Sequence, residues 1–225
     1  MTGDPHKPAT GTLPPLARFP ARPGPDTEAE LETVTACDLC LATEIDPVDP
    51  ECRLWACRRC GYVFDNPRPT LAELVRFYSK PTQYDGWIAE ERARDALWRR
   101  RLRKIGEPAS GATLLDVGTG TGQFLHLAAK VFARVAGTEV SESAVALARN
   151  RYGLDVRRGC IEDLDFETPF DVVTLFHVLE HVPSPRRTVE KCRSLLRPGG
   201  LLVVAVPNEL RSAKLRAKQV LGRVG

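Results

Sequence analysis

The chain has 225 residues, 43% apolar and 27% charged, with a formal net charge of +3 at pH 7; that is enough for one medium domain plus a small module with a buried core, and too weak a charge to demand a nucleic-acid partner. No apolar run is long enough to cross a bilayer, and seven prolines in the first twenty-five residues leave no continuous apolar segment for a signal peptide. The expected compartment is therefore the cytoplasm, where seven cysteines point to a metal site or buried thiols rather than to disulfides.

Residues 1–35 are rich in Pro, Gly, Thr and charge without periodicity, a composition expected to form a disordered tail. Residues 36–69 are read as a zinc ribbon. Cys37 and Cys40 form one CxxC, Cys57 and Cys60 another, and sixteen residues lie between the pairs, a spacing that fits a four-thiolate zinc site with each pair on a tight knuckle. A redox dithiol needs only one such pair. Four protein ligands leave no open position for a substrate, so the metal is expected to be structural. Cys52 is a spare thiol. The exit, Asp65 to Pro69, carries prolines at 67 and 69 that are expected to prevent regular strand pairing.

Residues 70–108 read as a helical connector or lid. Trp87, Ile88, Leu97, Trp98, Leu102 and Ile105 recur at roughly helical spacing, and Gly106 with Pro108 ends the pattern. The arginines of this stretch, Arg92 to Arg103, with Lys104, are expected to form a solvated face, as is the basic cluster from Arg211 to Arg223. From 109 to 225 strand-like and helix-like segments alternate: Thr113 to Val117, Gln123 to Val131, Arg134 to Glu139, Ser141 to Tyr152, Asp155 to Arg158, Asp171 to Phe176, Ser184 to Leu196 and Leu201 to Val206. Alternation of this kind specifies an α/β fold, a doubly wound, mostly parallel, Rossmann-like sheet with helices on both faces. Ser141 is expected to cap one helix and Gly153 to close it, while Pro185 after Ser184 starts another. The thiols of Cys160 and Cys192 are expected to be structural.

The chemistry concentrates in LLDVGTGTGQF, Leu114 to Phe124, where an apolar run ends in Asp116 and breaks into Gly118, Gly120 and Gly122. Glycines belong where a strand turns into a helix around a ligand, because the turn needs unusual dihedrals and a side chain would hold the ligand away. Position 123, where a dinucleotide fingerprint has its third glycine, is Gln123. Glu139 ends the next apolar segment, where a carboxylate can accept two hydrogen bonds from a ribose diol; a dehydrogenase uses the same device, so Glu139 alone does not choose the cofactor.

Taken in order, LLDVGTGTG, GTEVS, FDVVTLFHVLEHV and LLRPGGLLVVAVPN resemble the successive motifs of class I S-adenosylmethionine-dependent methyltransferases, over about Thr113 to Asn208. The resemblance implies that Asp116, Gly118, Thr119, Gly120 and Gly122 serve the methionine part of S-adenosyl-L-methionine. It implies that Glu139 and Val140 serve the ribose, that Ile161, Glu162 and Phe176 line the nucleoside, and that Cys160 stands where an aspartate is frequent. CRRCGYVFDNPRP, with its paired cysteines, resembles the zinc-binding head of some bacterial small-molecule and sugar C-methyltransferases.

His177, Glu180 and His181 spell HxxEH, which also matches an inverted zinc-protease motif; that reading fails because the residues follow an apolar strand and Val182-Pro183 ends the segment. At a strand terminus they are expected to face the reacting methyl group, with His181 the first candidate base and His177 the second. Tyr78 and Tyr84 are expected to line the pocket. The expected activity is methyl transfer to oxygen or carbon of a small metabolite or sugar nucleotide. The alternatives are a ribosomal RNA base methyltransferase and a non-catalytic zinc-ribbon interaction protein. The stretch Leu210 to Val224 has room for one helix and no further strands, so either the chain is shortened or its sheet is small.

Overall fold

In a computed structural model of the protein, residues 30–49, 53–80, 84 and 88–207 are described. The expectations for residues 1–29, Cys52, Trp87, the C-terminal helix and the C-terminal basic cluster lie outside them. The chain divides into two compact units, whose described parts are residues 30–70 and Leu71–Pro207.

In the smaller unit, strands β2 (Ile45–Asp49), β3 (Leu54–Cys57) and β4 (Val63–Asp65) form an antiparallel sheet in that order. A second ladder pairs β1 (Leu31–Glu32) with β5 (Arg68–Pro69). The ladder corrects two expectations. Ordered chain begins before residue 36, and Pro69 takes part in pairing, opposite Leu31. The reason lies in its neighbours. Thr70 supplies the amide that a proline lacks, donating to Glu30 O at 3.0 Å. The Asn66 side chain extends the edge further, accepting from Val34 N at 2.8 Å and donating to Val34 O at 2.9 Å. Arg68 anchors the ladder to Glu32 and Asp38.

The larger unit opens with α1 (Leu71–Tyr78) and α2 (Glu91–Ile105). Five parallel strands follow, β6 (Thr113–Val117), β7 (Arg134–Glu139), β8 (Val156–Arg158), β9 (Phe170–Phe176) and β10 (Leu196–Ala205), in the spatial order β10-β9-β6-β7-β8. Order reverses at β6, which pairs with β7 on one side and β9 on the other. Between the strands run α3 (Gln123–Ala128), α4 (Glu142–Tyr152) and α5 (Pro185–Ser194). The expected doubly wound sheet is thus present.

Apolar residues on both sides of the strands explain the two helical layers. One core gathers Trp98, Phe124, Leu125, Val145 and Ala148 from α2, α3 and α4 against Leu114 and Phe176; the other gathers Cys192 and Leu195 around α5 against Leu115, Phe170 and Val173. The helix boundaries follow local chemistry. Ser141 accepts from Ala144 N at 3.3 Å, and Gly153, at φ 63°, closes α4 through its N–H to Arg149 O. Strand β10 begins earlier than expected: Leu196 already pairs with Phe170, and the Arg197-Pro198-Gly199-Gly200 segment bulges before pairing resumes at Leu201 opposite Val172. The stretch 70–108 joins this unit rather than forming a separate connector, since Trp98 is buried in the core with Leu102 and Ile105 packed against it. Among the described residues no helix is long and apolar enough to cross a membrane.

Candidate functional site

Within the larger unit a cavity of about 380 Å³ opens at the carboxyl ends of β6, β7 and β9, at the point where strand order reverses and where ligands of such sheets bind. Asp116, Gly118, Thr119, Gly120, Glu139, Val140, Ile161, Glu162, Phe176, His177 and His181 all line it, as do Tyr78 and Tyr84. Gly122 stands behind this wall, at the start of α3.

The three loop glycines have different reasons to be glycine. All adopt positive φ, 67° at Gly118, 57° at Gly120 and 83° at Gly122. A Cβ on Gly118 would stand 2.6 Å from Val178 Cγ2, and one on Gly122 would stand 2.8 Å from both Ala148 Cβ and Leu154 Cδ1. Those two glycines let the protein pack against itself. Gly118 and Gly120 both line the cavity, but only at Gly120 is there room, the nearest atom to such a Cβ being Tyr84 Cε1 at 3.8 Å; it is the position at which a bound molecule can reach the backbone.

Two buried carboxylates face the cavity. Asp116, 3% exposed, accepts from Thr174 Oγ1 at 2.6 Å. Burial pushes its carboxyl up to about 7 against the lowering effect of the Thr174 and Thr119 hydroxyls. Glu139 is also raised, by burial, with the N–H groups of Ser141 and Gly120 opposing. Its Oε2 accepts from Gly120 N at 2.8 Å, and its Oε1 accepts from Ser141 N at 3.0 Å and from Tyr84 Oη at 3.4 Å. The carboxylate therefore ties the glycine loop to the end of β7, and Tyr84 sits where another hydroxyl could donate. Burial and Glu139 together hold the Tyr84 phenol well above its ordinary range.

The opposite wall is apolar, with Leu71, Leu74, Val75 and Tyr78 from α1, and Val182 and Pro183 beyond β9. Motif reading pointed to none of the aliphatic α1 residues, because a short apolar helix has no chemical signature until the fold turns it toward a cavity. His181 packs against the edge of the Tyr78 ring at 5.6 Å between centroids. Cys160 lines the cavity with its thiol raised by burial and by Glu162, and Cys192 is fully buried, its thiol raised to about 12 by burial.

Arg101 corrects the expectation of a wholly solvated basic face on α2. Its guanidinium lies 4.8 Å from the ring centroids of both Trp98 and Phe176, and Nη2 reaches His177 Nε2 at 2.7 Å. Nη1 is buried without a hydrogen-bond partner. A buried donor left unmatched among the described residues is costly; Asp116, whose charge acts on Arg101, lines the cavity. Gln123, at the position of the absent third glycine, instead joins two helices: it accepts from Trp98 Nε1 at 3.1 Å and donates to Glu91 O at 2.7 Å.

In the smaller unit Cys37, Cys40, Cys57 and Cys60 converge, with all four sulfurs within 4.8 Å of one another. Cys37 Sγ lies 3.6 Å from Cys60 Sγ, and Cys40 Sγ lies 3.5 Å from Cys57 Sγ. A tetrahedral zinc–thiolate site has metal–sulfur bonds of about 2.3 Å and so sets its sulfurs about 3.8 Å apart; the cluster is already near that size. The two knuckles share one design. Leu41 and Gly61 each adopt the left-handed conformation, at φ 63° and 73°, and donate to Cys37 O and Cys57 O at 2.8 and 2.9 Å. Burial raises the Cys60 thiol to about 12; at Cys57 burial is opposed by the N–H groups of Cys60 and Arg59 and by the Cys40 and Cys60 thiols, which together bring it to about 7.

The sequence profile of the family described as "Methyltransferase domain" matches residues 89–224, more than half of the chain. The chain belongs to that family. This methyltransferase-domain chain is 34% identical over 124 residues to a probable S-adenosylmethionine-dependent methyltransferase of Mycolicibacterium smegmatis, covering 52% of the chain and 48% of the relative. It is 38% identical over 118 residues to the ubiquinone biosynthesis O-methyltransferase of Xylella fastidiosa, covering 49% and 48%. Among solved structures it is similar to CalS10, an amino pentose methyltransferase from Micromonospora echinaspora, at 32% identity and a TM-score of 0.47, covering 54% of this chain and 56% of that one. The chain spans about half the length of the curated relatives it matches.

Proposed function

We propose that this methyltransferase-domain protein transfers a methyl group from S-adenosyl-L-methionine to oxygen or carbon of a small metabolite or sugar nucleotide, in the cytoplasm, and that its cysteine cluster holds a structural zinc ion. The observation that carries the reading is Glu139 in a chain of the methyltransferase-domain family: a carboxylate 5% exposed, at the end of β7, joined to Gly120 N and lining the cavity at the switch point. Burying a carboxylate there is costly without hydrogen-bond donors, and ribose hydroxyls are the donors the position suits. The buried Asp116, which lines the cavity, offers a charge opposite to the ammonium group of an amino acid. This donor set fits S-adenosyl-L-methionine, with Ile161, Glu162 and Phe176 left for the nucleoside.

When bound, the cofactor supplies a methyl carbon activated by a sulfonium charge. The protein contributes alignment and removal of water: Leu71, Leu74, Val75 and Tyr78 close an apolar wall, and His181 receives the proton of an acidic acceptor. Replacing His181 by Ala is expected to lower turnover about 100-fold at neutral pH with the cofactor Kd unchanged; equal turnover at every pH would remove the base role. The reading as a whole is tested by calorimetric titration with S-adenosyl-L-methionine, followed by a labelled-methyl screen of a metabolite extract.

Affinity should also depend on pH in a defined direction. Asp116 titrates at about 7 in the folded protein and near 4 when unfolded, so the free protein gives up stability between those values as pH rises and the buried charge forms. A cationic amino group binds the ionised carboxylate. Cofactor affinity is therefore expected to rise by up to about tenfold per pH unit below 7 and to level off above it. In Asp116→Asn the slope should vanish, and a slope that survives this change would assign the dependence to another group.

A further inference from the structure

His177 is held at both ring nitrogens and through its backbone. It stands at φ 60°, in the left-handed region that side-chain-bearing residues adopt at a cost and that clusters at functional sites, with its N–H bonded to Ala205 O at 2.8 Å. Arg101 Nη2 is 2.7 Å from His177 Nε2, and His177 Nδ1 is 3.3 Å from Glu180 Oε1. A guanidinium has five donors, no acceptor and a permanent charge. Nε2 must then present its lone pair, so in the singly protonated ring the proton is on Nδ1, the nitrogen 3.3 Å from Glu180 Oε1. Arg101 itself is fixed between the Trp98 and Phe176 rings.

We infer that Arg101 fixes His177 as the Nδ1–H tautomer, which makes it a positioning residue that turns its N–H toward the Glu180 carboxylate shared with His181. Protonating His177 at Nε2 would set N–H against N–H across 2.7 Å, beside a full positive charge. His181 is placed differently: its Nε2 lies 3.9 Å from the same Glu180 Oε1, so a proton it gains faces a carboxylate. His177, expected from the sequence as the second candidate base, is on this geometry its support. The assignment of the base to His181 rests on the methyltransferase reading; the tautomer of His177 does not.

Long-range ¹H–¹⁵N correlation spectra of the full chain at pH 7, recorded without cofactor or acceptor, decide the matter. The expected pattern for His177 is a protonated Nδ1 and an unprotonated Nε2. Arg101→Met should lose that pattern, with the proton passing to Nε2 or the ring becoming doubly protonated, while Arg101→Lys, which keeps a cationic donor, should restore it. An Nε2–H or doubly protonated His177 in the unaltered protein overturns the inference, as does a folded Arg101→Met protein that keeps the Nδ1–H form. If Arg101→Met does not fold, the pattern in the unaltered protein and in Arg101→Lys still decides. Failure of this test leaves the proposed methyl transfer standing, and failure of cofactor titration leaves the tautomer standing.

Discussion

Replacing Cys57 by serine, or stripping divalent metal with a chelator, is expected to unfold residues 30–70 and leave Leu71–Pro207 folded. The smaller unit has little else to hold it. Among the described residues its apolar cluster consists of Cys37, Ala42 and Cys57 with Cys40, Ile45 and Tyr62 packed against it, so half of that cluster is proposed metal ligands, and only Val34, Ala56 and Phe64 are further buried apolar residues. Structural zinc sites of this type contribute about 10–16 kcal/mol of apparent binding energy, as much as the whole stability of a typical domain, about 5–15 kcal/mol. The surface pair of Arg58 with Asp46 contributes little by comparison. Elemental analysis should give one zinc per chain, and amide spectra recorded with and without chelator should lose dispersion only for residues of the smaller unit. An unchanged spectrum at zero bound metal would falsify the zinc assignment.

The second large effect is expected at Glu139. Alanine there removes the acceptor for Gly120 N, Ser141 N and Tyr84 Oη together and the proposed acceptor for the ribose. Hydrogen bonds to a charged group are worth about 1.5–3 kcal/mol each, so the loss of two to a ribose diol weakens cofactor binding by about 100-fold or more. Glu139→Gln should recover part of this, since the amide retains one acceptor oxygen. Calorimetry on variants whose unfolding midpoints have been measured separates lost binding from a disordered glycine loop. Wild-type affinity in a folded Glu139→Ala protein would place the nucleoside elsewhere in the cavity.

Much of the site was legible before any coordinates. Asp116, Gly120, Glu139 and His181 are marked by residue type and spacing and Ile161 by the family resemblance, and all line one cavity, because a parallel sheet gathers the carboxyl ends of its strands on one side. The strand limits of β6 and β7 followed from apolar runs ending in acidic residues. Other features were not legible. Arg101 looks like any arginine of a basic helix; only the packing of α2 against Phe176 sets it beside the Trp98 and Phe176 rings. The packing need for Gly118 depends on Val178, sixty residues later, and that for Gly122 on Ala148 and Leu154. The pairing of Pro69 depends on Glu30 and Asn66, which local proline chemistry cannot see.

By itself the amino-acid sequence determined the order of strands and helices, the paired cysteine knuckles and the identity of the residues bearing chemistry, since these depend on periodicity, turn residues and donor type within short windows of chain. Only the tertiary structure decided which cation is buried, which histidine has its nitrogens occupied and which glycine faces a ligand. Those outcomes depend on neighbours brought together by the winding of the sheet, and contact across it is set by strand order rather than by distance along the chain.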